Sequence, residues 1–124
     1  MTFDKDTVRE ILLRIEASSD PRGWIDIDIP GRSETEVSYH VQILDEAGFI
    51  EAENLSDMQN YTWKAKRLTY QGHELLDSIR DPEVWSKTRE GASKVGGLAL
   101  DVLMSLGKAY AKQILREKLG IVLP

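Results

Sequence analysis

The spacing of apolar residues divides the chain into helical and extended blocks. After Asp4, the residues Val8, Ile11, Leu12 and Ile15 recur every three or four positions, the interval that gathers side chains on one side of a helix. This spacing predicts a helix over 5–17. Asp4 or Asp6 is placed to accept from the free amides of its first turn, and Ser18-Ser19-Asp20-Pro21 ends it. The run Trp24–Ile29 alternates instead, with Ile25, Ile27 and Ile29 on one face and Asp26 and Asp28 on the other, which predicts a short strand closed by Pro30-Gly31.

Helical spacing returns in Val37, Val41, Leu44 and Ala47, predicting a helix over 34–48 that Ser33 or Thr35 opens and Gly48 closes. A strand over 49–55, a polar turn over 56–60 and a returning strand over 61–68 predict a hairpin. Thr69 or Tyr70 opens a helix over 70–80 carrying Leu75, Leu76 and Ile79, and Asp81-Pro82 punctuates the chain, with Pro82 suited to a first helical position. From Val84 to Leu115 the apolar period continues as one long helix or as two, broken at Gly96-Gly97. The shift in composition near Pro82 suggests a domain over 1–81 and a helical extension over 82–124. Glycines at 91, 96, 97 and 107 would each cost ~1 kcal/mol against alanine in an exposed helix, so they mark a hinge or close packing.

The string His40-Val41-Gln42-Ile43-Leu44-Asp45-Glu46-Ala47-Gly48-Phe49-Ile50 resembles the end of the recognition helix and the start of the wing in many bacterial winged-helix proteins. The string Leu68-Thr69-Tyr70-Gln71-Gly72-His73-Glu74-Leu75-Leu76 resembles the segment after the wing in the same proteins. With Asp77 to Trp85 it is similar to the uncharacterised bacterial and phage family DUF2513. The resemblance implies an α+β, mainly α fold: a winged helix-turn-helix domain with a C-terminal amphipathic helical extension and no established activity. A strand and a Pro-Gly turn stand where a winged domain has a short helix between 5–17 and 34–48, so the helix-turn-helix is incomplete or compressed.

Composition narrows the function. The 124 residues, 41% apolar and 30% charged, suit a folded domain, and the absence of cysteine removes disulfides, thiolate metal sites and cysteine nucleophiles. The N-terminus lacks a secretory pattern and no run approaches ~18 apolar residues, so a cytoplasmic protein is expected. The net charge is −5 and unevenly spread: residues 1–80 carry nine Lys and Arg against sixteen Asp and Glu, while residues 81–124 carry seven against five. The half expected to read DNA is the acidic half.

If helix 34–48 enters a major groove, Ser33, Thr35, Ser38, Tyr39 and Gln42 are the residues able to meet bases or phosphates, with Lys64, Lys66 and Arg67 of the hairpin adding phosphate contacts. Glu34, Glu36, Asp45 and Glu46 on the same helix would repel that backbone. Two functions therefore stay open, the first expected ahead of the second. One is a winged-helix DNA-binding, transcription-regulatory protein. The other is a non-enzymatic protein–protein interaction module that docks a basic partner through its acidic face or its C-terminal helix.

No enzyme is expected. His40 and His73 match no metal spacing and are read as packing or hydrogen-bonding residues; no metal or cofactor is assigned. Asp26 with Asp28, and Asp45 with Glu46, lie on solvated faces rather than in a cleft that separates pKa values. Gly91-Ala92-Ser93-Lys94-Val95-Gly96-Gly97 has the glycines of a phosphate loop without its Gly-Lys-Ser/Thr ending.

In the extension, Trp85, Val95, Leu98, Val102, Leu106, Tyr110 and Ile114 form an apolar stripe. Burying six such side chains at ~1.5–3 kcal/mol each is a large term for so small a domain, so the stripe should be covered. It can pair two copies in a homodimer or fold back on its own chain, and both rank ahead of a membrane surface.

Overall fold

The computed structural model describes residues 1–20, 22–94 and 99–120. Among them the chain is α+β and mainly helical. The elements are α1 (Lys5–Ala17), α2 (Glu34–Glu46), β1 (Ile50–Asn54), β2 (Trp63–Leu68), α3 (Tyr70–Ile79), α4 (Pro82–Ser93) and α5 (Leu100–Leu119). The chain divides into two compact units, Met1–His73 and Glu74–Pro124, with the division inside α3. No described helix is long and apolar enough to cross a membrane.

In the first unit the apolar stripes predicted from spacing form the core: Val8, Ile11 and Leu12 of α1, Val41 and Leu44 of α2, and Ile50, Ala65 and Leu68 of the hairpin are all buried. Each of these two helices starts at a side-chain cap that satisfies amides the helix itself leaves free. Asp4 accepts from the Thr7 amide at 2.9 Å to start α1. At α2, Ser33 accepts from the Glu36 amide and Glu36 accepts from the Ser33 amide, a reciprocal capping box. Gly48, at φ 84°, supplies the left-handed residue that ends α2 and turns the chain into β1.

The hairpin is antiparallel, pairing Ile50 with Leu68, Glu51 with Arg67, Ala52 with Ala65 and Glu53 with Lys64. A bulge after Glu51 leaves Lys66 as the extra residue of β2. Strict alternation cannot bury both Ala65 and Leu68, which are three residues apart. The bulge resets the alternation and lets both face inward.

The expected strand over 24–29 is corrected. Its facing alternates as predicted, with Asp26 and Asp28 exposed and Ile29 buried, but only Ile25 pairs, through an isolated bridge to Ala65. Alternating side chains decide which way a segment faces, whereas a ladder needs successive backbone partners. Here the Ile25 amide bonds the Ala65 carbonyl at 2.8 Å, while the Asp26 carboxylate is engaged by the Lys64 side chain. No helix occurs among the described residues between α1 and α2.

In the second unit, Asp81 caps α4, accepting from the amides of Glu83 and Val84, with Pro82 in the first turn. Two helices, α4 and α5, stand where the period left one or two open, and the expected break at Gly96-Gly97 lies outside the described residues. Gly91 and Gly107 serve close packing: a Cβ on Gly91 would come within 2.9 Å of the Tyr110 hydroxyl, and one on Gly107 within 2.6 Å of the Ser78 carbonyl. Of the stripe predicted to be covered, Trp85 and Ile114 are buried, Leu106 and Tyr110 are half-buried and Val102 is exposed; Val95 and Leu98 lie outside the described residues.

Gly72 is the tightest approach in the first unit, because a Cβ there would sit 1.9 Å from the Phe49 carbonyl oxygen, a backbone atom that cannot step aside. Gly72→Ala is expected to cost about 2–4 kcal/mol in urea unfolding. Gly23→Ala, with nothing within 4 Å of the added carbon, should change stability by less than about 0.5 kcal/mol. Equal losses in the two variants would contradict this packing.

Candidate functional site

The surface carrying the predicted contact residues is built from α2, the hairpin and the segment before α2. Its foundation is His40, which is 1% exposed. The Asp4 amide donates to His40 Nε2 at 2.8 Å, so Nε2 must be the accepting nitrogen and Nδ1 carries the proton, which it donates to the Glu36 carbonyl at 2.7 Å. Phe3 stacks on the ring at 5.2 Å and Tyr39 meets it edge-on. Arg32 completes the corner, reaching Asp4 at 3.1 Å and Glu36 at 3.2 Å.

These bonds tune two carboxylates. Burial pushes the Asp4 carboxyl up, but hydrogen bonds from the Thr7 hydroxyl and amide, with the Arg32 guanidinium nearby, outweigh it and hold the group below its ordinary value. Glu36 is also held low, first by the Ser33 amide and then by Arg32.

The predicted contact residues divide sharply by environment. Thr35 is exposed on α2 and Ser33 is exposed but committed to the capping box. Ser38 is buried and accepts from the Trp63 amide at 3.1 Å, so it holds the hairpin against α2. Tyr39 is half-buried beside His40. Gln42 donates to Glu46 at 3.1 Å and accepts from the Tyr61 hydroxyl. Asp45 accepts from the Ala52 amide at 2.9 Å, which makes it a fold residue as well.

All three hairpin cations are ion-paired. Lys64 binds Asp26, Lys66 lies 3.6 Å from Glu53, and Arg67 engages Glu51 through two bonds at 3.0 and 2.7 Å. Over residues 22–68 Arg22, Arg32, Lys64, Lys66 and Arg67 stand against Asp26, Asp28, Glu34, Glu36, Asp45, Glu46, Glu51, Glu53 and Asp57. Burial, and then the nearby Glu46 carboxylate, raise the Tyr61 phenol above its ordinary value. Trp24 is half-exposed and donates its indole N–H to Glu53 at 2.7 Å. His73 is exposed, unlike His40, and its amide continues α3 by bonding the Thr69 carbonyl.

Arg32, Tyr61 and Trp24 were not singled out from the sequence. Only Arg32 had a local signal, lying immediately before the Ser33-x-x-Glu36 capping pattern. The contacts of Tyr61 and Trp24 span 19 and 29 residues, so no local pattern announces them.

A family model described as a hypothetical protein, DUF2513, matches residues 2–99, which include every residue of this surface. The chain belongs to the DUF2513 family. It is also similar to an uncharacterized protein of Haemophilus influenzae, 38% identical over 112 residues that cover 89% of this chain and 95% of the relative. No solved structure matches.

The lowered Asp4 value fixes the sign of a pH effect. Because Asp4 is easier to ionise in the folded chain than in the unfolded one, its stabilisation is present above 3.8, the free-chain value, and is lost as pH falls through the lower folded value. Asp4→Ala should therefore cost about 1 kcal/mol near neutral pH, the usual scale of a lost N-cap. The gap between the variant and the parent chain should close as urea unfolding is repeated at falling pH, and a gap independent of pH would contradict the assignment.

Proposed function

We propose that the first unit is a winged-helix domain acting as a non-enzymatic protein-interaction module, which presents α2 and the hairpin to a basic surface on a partner protein. The winged-helix reading is supported by the order α1, extended segment, α2, hairpin, and by the Ile25–Ala65 bridge, which sets the extended segment beside β2 as a wing's third strand would be set. It departs from that architecture in lacking a described helix between α1 and α2.

The observation that carries the partner reading is the commitment of Lys64, Lys66 and Arg67 to carboxylates on a surface where acids outnumber bases. Phosphate affinity comes from cations that release counterions, and each of these cations already has a protein anion for company. Charge of this sign favours encounter with cationic partners and opposes encounter with polyanions.

A DNA-binding, transcription-regulatory role is the second reading. It is favoured by exposed Thr35 and half-buried Gln42 on a helix flanked by a hairpin. Exposed ion pairs are also individually weak, at ~0–1 kcal/mol, so a phosphate can exchange for a carboxylate.

The two readings separate in one pair of titrations. Fluorescence anisotropy of a labelled random duplex and of a labelled cationic peptide, both at low salt with the full chain, should show salt-dependent binding of the peptide and none of the duplex. Glu34→Lys with Glu46→Lys, which leaves the structural carboxylates Glu36 and Asp45 intact, should lower peptide affinity about tenfold or more. Salt-dependent duplex binding lost on charge reversal of Lys64, Lys66 and Arg67 would establish the second reading instead.

A further inference from the structure

An open cleft of about 330 Å³ lies between the segment Ile25–Asp28, the first half of α2 and the start of β2. Its apolar lining includes Ile27, Val37 and Val41, while its charged lining is Asp26, Asp28, Glu34, Arg32 and Lys64. The ion pairs decide which of these charges remain available. Arg32 is engaged by Asp4 and Glu36, and Lys64 by Asp26. The carboxylates of Asp28 and Glu34 have no hydrogen-bond or ion-pair partner among the described residues, and both residues are exposed. The described lining of the cleft therefore combines apolar surface with two uncommitted anions and no uncommitted cation.

We propose that this cleft receives an arginine side chain projecting from a basic segment of a partner protein. The aliphatic stem lies along Ile27 and Val37, and the guanidinium reaches Asp28 and Glu34. Arginine fits better than lysine because its stem covers apolar surface, its head is weakly hydrated and its planar fork can bridge two carboxylates. The volume lies near the lower end of the ~300–1,000 Å³ range of ligand clefts, a size that suits a projecting side chain rather than a folded element. A nucleic acid is disfavoured at this place, since Asp28 and Glu34 would face its phosphates. The inference rests on the protein-interaction reading and gives that reading an anchor point.

The test is a two-dimensional amide NMR titration of the full chain with an acetylated, amidated tetra-arginine peptide, and with a random duplex in parallel. Peptide-induced shifts should concentrate at Ile27, Asp28, Glu34 and Val37. Asp28→Asn with Glu34→Gln should weaken the peptide about tenfold, as expected for a lost charge-assisted pair. Glu46→Gln with Glu51→Gln removes the same charge elsewhere on the surface and should change affinity by no more than about twofold. Equal weakening by the two double variants, or shifts spread over the acidic surface, would overturn the cleft while leaving the interaction reading standing. The absence of peptide shifts at the cleft would also overturn it. A duplex that moves the same amides would overturn both.

Discussion

The hydrogen bond from the Asp4 amide to His40 Nε2 joins the start of α1 to the middle of α2 across 36 residues, and the caps of both helices meet around it. A buried imidazole must satisfy two nitrogens, and here one accepts from α1 while the other donates back to the carbonyl of Glu36 on its own helix. That second bond is coupled to the capping box, because Glu36 also closes the N-terminus of α2 and holds Arg32, which returns to Asp4. Each group in this corner orients the next. The outward face of α2 is thus presented by a fully bonded base rather than by packing alone, with Ser38 and Asp45 fastening the hairpin to the same helix.

The charges depend on that scaffold. With the hairpin held against α2, the bulge at Lys66 and the register of Glu51 opposite Arg67 bring acidic β1 alongside basic β2. Of the cations that look like a phosphate-binding set in the sequence, Lys66 and Arg67 become internal counterions of the hairpin and Lys64 pairs with Asp26 of the preceding segment. The carboxylates left over, on α2 and on the segment before it, set the sign of the surface. Under the proposed reading a protein partner with basic character would meet it without displacing anything, whereas a duplex would have to break existing pairs against an opposing field.

Much of the fold was legible because it depends on local rules. The stripes of α1 and α2, the Gly48 stop, the Asp4 and Ser33 caps and the hairpin strands are written in intervals of two to four residues. The segment 24–29 shows where such rules end: its alternation predicted facing but not pairing, which β2, some forty residues later, limits to Ile25. The candidate site was less legible for the same reason. Ser38 and Gln42 read as free polar residues on a helix, and only the long-range contacts with Trp63 and Tyr61 reveal that they are occupied. The balance of charge was visible from composition, but the pairing of each hairpin cation was not, because it depends on register, on the bulge and on the approach of Asp26.

If the hairpin cations are masked by their own carboxylates, removing those carboxylates should unmask them. The chain carrying Asp26→Asn, Glu51→Gln and Glu53→Gln can be titrated with a random duplex over a series of salt concentrations beside the unaltered chain. Masking predicts negligible binding by the unaltered chain and a gain in the variant whose affinity falls steeply with salt, by up to about three phosphate contacts' worth of slope. Equally strong, equally salt-dependent binding by both chains would mean that the ion pairs mask nothing, and would contradict it.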